Sequence, residues 1–418
     1  MRIWLTQDGE PVPGVEPGTR PWRTAMLGMA LADAGHEVLW WASTLNFATR
    51  RFWFDRPTIR TIQPGLEVYL LHGPGYTTTK SLARWVHQRT IARQFREQAA
   101  LRPLPDLIFA SLPTLELVEQ AVQLGRQHTI PVIVDIRDLW PDHYLTMAPA
   151  PLRPLVRVAL HSEFRRAARG LTGATGLTSI TATFLGWGLA RARRAQHLDD
   201  AVFPMGYLPP AHTLSAHVRP DVGDAVMPLV YAGTMGSAFN FDTVIEAARQ
   251  LAAAQRTDVL FIITGAGYQD ARIRALADGL PNVRFTGWIA HDEVHRLLGH
   301  GAVGLACYAN GETIHGSMPN KMFEYMAAGV PLLSSMRGEM ETFLAAERIG
   351  LTYESVDHES LLAQIQWFVE HPAERRAMGQ RARQLFFERF DASRVYPAMV
   401  QHLEGVVERA RQRQRRTQ

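Results

Sequence analysis

The chain has 418 residues, of which 46% are hydrophobic and 20% charged, with a net charge of +4 and a pI near 9.4. It is too long for one ordinary core and apolar enough to bury sizeable ones, so two domains of about 200 residues each are expected. A single cysteine, Cys307, excludes an intramolecular disulfide and a multi-cysteine metal site, and its apolar GLACYA setting predicts an inert core thiol.

The modest basic balance suits an anionic partner such as a nucleotide or a phospholipid surface, and no DNA- or RNA-binding module accompanies it. The N-terminus, MRIWLTQDGE, lacks the apolar region and cleavage site of a signal peptide. No window approaches the roughly 18 uninterrupted apolar residues of a spanning helix. A cytoplasmic protein that touches a membrane, at its inner face, without crossing it is the expectation.

In chain order, short apolar runs alternate with longer amphipathic segments. Strands are predicted near Ile3–Thr6, Glu37–Ala42, Leu66–Leu71, Asp106–Ala110 and Pro131–Asp135, with helices over Arg20–Ala34 and Thr114–Gln127 between them. The pattern then restarts, with strands beginning at Met227, Asp258, Asn282, Ala302 and Val330. Such alternation implies an α/β protein with two Rossmann-like, doubly wound parallel sheets facing a central cleft. The proline-rich stretch Pro204–Val226 reads as the linker, and the Arg- and Glu-rich segment from Ala373 as helix ending in a frayed basic tail. The domains are placed at residues 1–205 and 206–390, with a helix and tail over 391–418 returning towards the first domain.

In open α/β sheets ligands bind beyond the carboxyl ends of the strands, so the loops there carry the chemistry. After the first strand, Gly14 and Gly18 make a flexible loop, and Arg20 and Arg23 are placed to contact phosphate or acceptor, or else are solvated. NFATRRFWFDRP and KSLARWVHQRTIARQFREQ mix basic and aromatic residues, including Lys80, as an anionic lipid interface would require. The alternative is a core-packed helix with a solvated basic face. VDIRDLWPD follows a buried strand, and its Asp135, Arg137 and Asp138 read either as an internal ion-pair cluster or as groups that orient an acceptor hydroxyl.

YAGTMGSAFNFDTVIEAA runs from strand through Gly233, Thr234 and Gly236 into a helix, the grammar of a phosphate-binding turn. ITGAGYQDARI, with Gly265, is a weaker copy. In SMPNKMFEYMAAGVPLLSS a helix starts near Pro319 or Asn320, with Ser317 or Asn320 as its cap. Lys321 and Glu324 then share a face. The ammonium suits a diphosphate and the carboxylate the vicinal hydroxyls of a ribose. A surface Lys–Glu pair is the alternative. The chain has only two lysines, Lys80 and Lys321, and uses arginine elsewhere, which argues for a specific need at position 321.

PNKMFEYMAAGVP resembles the signature of the family 4 retaining glycosyltransferases, which have the two-domain GT-B fold. VDIRDLWPD, YAGTMGSAFNFDTVIEAA and LADAGHEVLWWAS are similar to segments of the family's cell-envelope polysaccharide branch, and the resemblance covers almost the whole chain. It implies transfer of a sugar, with retention, from a nucleotide-sugar donor, UDP-linked by expectation. The acceptor hydroxyl would belong to a glycan or lipid-linked molecule, and no metal or other cofactor would be needed. It implies that Glu324 binds the ribose, Lys321 neutralises the diphosphate, Gly233 and Thr234 face the phosphates, and Asp135, Arg137 and Asp138 face sugar and acceptor. Two features depart from the pattern. Gly316 stands where the first glutamate of a Glu-x7-Glu pair belongs, with Glu312 or His315 as substitutes, and the basic residues after the first C-terminal strand are missing. The SMPNK variant without that glutamate itself resembles a branch of the family. A GT-B nucleotide-sugar 2-epimerase and a catalytically silent nucleotide-binding subunit are the rival readings.

Overall fold

The structure is a computed structural model that describes residues 1–15, 20–78, 81–210, 226–299, 302–309 and 316–417. The chain divides into two compact units, Met1–Gly206 with Ala392–Gln418, and Tyr207–Asp391. Each is built on its own sheet.

The first unit contains β1 (Arg2–Thr6), β2 (Glu37–Ser43), β3 (Thr58–Gln63), β4 (Leu66–Leu71), β5 (Leu107–Ser111), β6 (Val132–Ile136), β7 (Gly176–Ser179) and β8 (Ala201–Val202). They lie in the order β3-β4-β2-β1-β5-β6-β7-β8, all parallel except β3, which runs antiparallel to β4 at the edge. The central strands LIFAS and VIVDI are buried along their whole length, as apolar strands covered on both faces must be. Strand β3 was not predicted. Its sequence, TIRTIQ, is half exposed and polar enough to lack a buried-strand signature.

The second unit contains β9 (Met227–Ala232), β10 (Val259–Thr264), β11 (Val283–Gly287), β12 (Val303–Ala306), β13 (Leu332–Ser334) and β14 (Gly350–Thr352), in the order β11-β10-β9-β12-β13-β14, all parallel. Counted from β9 this is the doubly wound order 3-2-1-4-5-6, which reverses between β9 and β12. The corresponding reversal in the first unit falls between β1 and β5. A ligand crevice opens at such a reversal because the neighbouring loops leave in opposite directions.

Helix Ala392–Thr417 belongs to the first unit. Val395, Tyr396, Met399, Val400, Leu403, Val406 and Val407 lie in one buried cluster with Ile3, Leu5, Leu27 and Trp40. The expected frayed tail is corrected: the helix continues to Thr417, and three of its arginines are tied down. Arg409 and Arg413 pair with the nearly buried Asp199 at 2.6 and 3.1 Å, and Arg411 with Asp106 at 2.7 Å. Among the described residues no helix is long and apolar enough to cross a membrane. Most of the expected linker, residues 211–225, lies outside the described residues.

Candidate active site

In the second unit, helix Asn320–Ala328 carries Lys321 and Glu324, the paired residues of the SMPNK motif. The helix is anchored by Tyr325, whose hydroxyl accepts from Ala232 N and donates to Leu305 O, both at 3.0 Å. One side chain thus ties the helix to β9 and β12, the strands that flank the reversal. Neither expected cap forms: Pro319 is the cap residue, with no side-chain bond, and Asn320 is the exposed first helical residue.

Lys321 turns inward from this helix and is 9% exposed. Its ammonium lies 3.7 Å from the centroid of the Tyr231 ring, 4.1 Å from Phe239 and 5.3 Å from Tyr308. Among the described residues Nζ has no hydrogen-bond partner. Ring faces attract a cation but do not replace its lost water. Burial therefore pushes the lysine down to about 7, against the opposing pull of Cys307 and Glu324. The neighbouring Cys307 thiol is itself pushed up to about 12 by burial, as expected for an inert thiol.

Gly233 directly follows β9 with φ +142°, and a Cβ there would stand 3.4 Å from Lys321 Nζ. The missing side chain keeps the space beside the ammonium open. The turn does not offer all its amides, however. Gly233 N donates to Thr264 O at 3.1 Å and Met235 N to Ala266 O at 3.0 Å, while Gln269 Nε2 bonds Gly236 O at 2.5 Å. The two glycine turns brace each other. Gly265 is buried against the Gly233 carbonyl, so the ligand contact expected of it is corrected to close packing. Thr234 is exposed and its carbonyl accepts from Tyr231 Oη at 2.6 Å.

Glu324 lies one turn after Lys321 and is 15% exposed. Its Oε1 is 3.1 Å from His291 Nε2 and 3.3 Å from the Tyr207 hydroxyl. His291, His295 and Glu324 offer ligand atoms within 4.8 Å of one another, a set that could hold a cation. The Tyr207 hydroxyl stands among them, hydrogen-bonded to His291 and 2.6 Å from His295 Nε2, and takes up the space between them. Gly316, in place of a first glutamate, is buried, and the proposed substitutes Glu312 and His315 lie outside the described residues.

In the first unit the strand-end cluster is an internal ion-pair network at the β1/β5 reversal. Asp135 has no exposed surface. It accepts from Arg23 Nε (3.0 Å) and Nη2 (3.1 Å), Arg137 Nε (2.6 Å) and Thr178 Oγ1 (2.7 Å). Burial alone would raise its carboxyl, but Arg23 and Arg137 outweigh this and hold it well below the usual range. Arg137 also bonds Glu10, Thr24 Oγ1 (3.0 Å) and Ser111 Oγ (2.7 Å). A direct substrate contact by Asp135 is thereby corrected, and the expected contact by Arg23, buried in the same network, fails with it. Arg137 keeps 10% of its side chain exposed. Asp138 accepts from Leu139 N and Trp140 Nε1, both at 2.7 Å, and so shapes its own loop while remaining partly accessible. Arg20 is half-buried just before helix Arg23–Asp33.

Sequence reasoning missed the aromatic cage, Glu10, and the Tyr207–His291–His295 group. Each is assembled from separate elements, so no local spacing marks it.

Residues 244–401 match the family described as "Glycosyl transferase-like". No curated protein sequence matches the chain. Among solved structures, sucrose-phosphate synthase from Thermosynechococcus elongatus is similar over 97% of this chain and 98% of its own, at 18% identity and a TM-score of 0.73. WaaG, a glycosyltransferase involved in lipopolysaccharide biosynthesis, is similar over 95% and 98%, at 14% identity and 0.64. Anabaena Alr3699/HepE in complex with UDP-glucose is similar over 97% and 99%, at 13% identity and 0.62. The likeness to these structures shows the two-domain GT-B fold, and the family match covers residues 244–401, which lie mostly in the second unit.

Proposed function

We propose that the protein is a retaining glycosyltransferase that moves a sugar from a UDP-sugar to the hydroxyl of a lipid-linked or glycan acceptor in surface polysaccharide synthesis. The carrying observation is the Lys321 ammonium, held without a hydrogen bond in an aromatic cage beside Gly233 at the sheet reversal. A buried cation with no hydrogen-bonded anion among the described residues is costly unless one arrives, and the donor diphosphate is such an anion.

In this reading the second unit binds the donor, with Glu324 accepting from the ribose and Thr234, Gly236 and Asn320 lining the phosphates. The bond between the sugar's anomeric carbon and the phosphate oxygen breaks as the acceptor oxygen bonds to that carbon on the same face. The acceptor proton passes to the leaving diphosphate. Negative charge grows on that group as the bond breaks, and Lys321 with the amino end of its helix stabilises it, in the role a metal ion plays elsewhere. In the first unit, Arg137 and Asp138 line the acceptor, and the Asp135–Arg23 pair fixes their loop. Membrane contact is supported by the helix Leu82–Ala99. Leu82 is 77% and Val86 54% exposed, beside exposed Arg89, Arg93 and Arg96 and without an acidic residue before Glu97.

The test is a screen of UDP-, GDP- and dTDP-sugars, reading released nucleoside diphosphate with and without membrane extract. Release from a UDP-sugar that rises with extract is the expected result. Conversion of the sugar nucleotide without an acceptor would point to the epimerase, and nucleotide binding without release to the silent subunit.

A further inference from the structure

We infer that Tyr207 and His291 are positioning residues that set the orientation of the Glu324 carboxylate for a ribose, an inference that rests on the reading of Glu324 as the ribose acceptor. Three elements meet here: helix Asn320–Ala328, helix His291–Leu298, and the first residue of the second unit. Two groups, the Tyr207 hydroxyl donating at 3.3 Å and His291 Nε2 lying at 3.1 Å, converge on the same oxygen, Oε1.

Tyr207 is in turn held from every side. Its ring stacks on His295 (centroids 6.0 Å apart, interplanar angle 18°) and stands edge-on to Phe386 at 5.8 Å. Its backbone N–H donates to Phe390 O at 3.0 Å, and it bridges Asp391. His295, itself 6% exposed, holds the hydroxyl at 2.6 Å. His291 and His295 are one helical turn apart, so both imidazoles reach the same hydroxyl. A surface His–Glu pair needs none of this support. A carboxylate that must accept from two adjacent hydroxyls does, because the acceptor geometry is directional and a glutamate left mobile loses side-chain freedom on binding. The chain therefore places the cost of ordering Glu324 in the fold rather than in the ligand complex.

The test compares calorimetric affinities for UDP and 2′,3′-dideoxyuridine diphosphate in the full-length protein, with thermal melts on each variant. Wild type is expected to prefer UDP by about tenfold or more, and Glu324→Ala to lose the preference. Tyr207→Phe keeps the ring stack, and His291→Asn alters a partly exposed side chain. Each is expected to reduce the preference below about threefold while leaving dideoxy affinity near wild type and a cooperative melt, lowered in Tyr207→Phe by the bond lost to the buried His295. If both keep the full preference while Glu324→Ala loses it, the positioning role is overturned and the ribose reading stands. If wild type shows no preference, or Glu324→Ala retains it, the ribose reading itself is overturned and the inference falls with it.

Discussion

Lys321 makes the sharpest statement at the scale of single residues. Its pKa of about 7 in the folded chain, against 10.5 when unfolded, means that between these values the unfolded chain binds a proton that the folded chain does not. Stability therefore rises with pH across that window, and the full penalty, on the order of a few kcal/mol, is present below it. Lys321→Met is expected to abolish transfer yet raise the melting temperature below pH 7, with the gap to wild type closing towards pH 10.5. A destabilised, inactive variant would remove the buried-charge argument. Binding of UDP should restore the ammonium, so each binding event above pH 7 takes up a proton. Affinity should then fall by up to about tenfold per pH unit above 7, read by calorimetry in two buffers of different ionisation heat. A flat profile would show that the lysine is already charged. In the first unit, Asp135→Asn leaves Arg23 buried with its charge uncompensated and is expected to cost about 3–5 kcal/mol in urea denaturation. The native carboxylate's own contribution is present above its unfolded value of 3.8 and is lost only in strong acid, as pH falls through the depressed folded value. The residue types of this site were legible because lysine is rare here and Asp-x-Arg-Asp is dense in charge. That the lysine sits in a cage was not, since Tyr231, Phe239 and Tyr308 come from a strand, a turn and a loop that only the sheet order brings together.

Among elements, helix Asn320–Ala328 is positioned by one phenol. Tyr325→Phe deletes two buried backbone bonds at once and should cost about 1–3 kcal/mol. Because Ala232 leads directly into Gly233, the same change should raise KM for the donor more than it lowers kcat. Unchanged steady-state kinetics would mean that packing around Met322, Phe323 and Met326 suffices. The long apolar strands and their alternation with amphipathic helices were readable, as was the start of this helix. Strands β3, β7, β8 and β14 were not. They are short, or lie at sheet edges where polar sequence is tolerated, and neither case produces the run of apolar residues that marks a central strand. The glycine turns were read correctly as turns, but their use of each other's amides depends on β9 and β10 being neighbours, which spacing along the chain does not reveal.

For the whole molecule, the decisive feature is that the first unit is closed by the last helix. A chain ending at Asp391 would leave Ile3, Leu5, Leu27 and Trp40 without Val395, Tyr396, Met399, Leu403 and Val406 against them. Such a truncation should bind hydrophobic dye and precipitate on expression, whereas a soluble, cooperatively melting product would show the helix to be dispensable. The same arrangement has a consequence for biosynthesis. On the ribosome, the second unit is complete as soon as Asp391 has emerged, while the first, although made earlier, must wait for the final helix. The half of the protein synthesised first is therefore the half that finishes folding last, and throughout that interval its uncovered sheet face is the natural client of a chaperone.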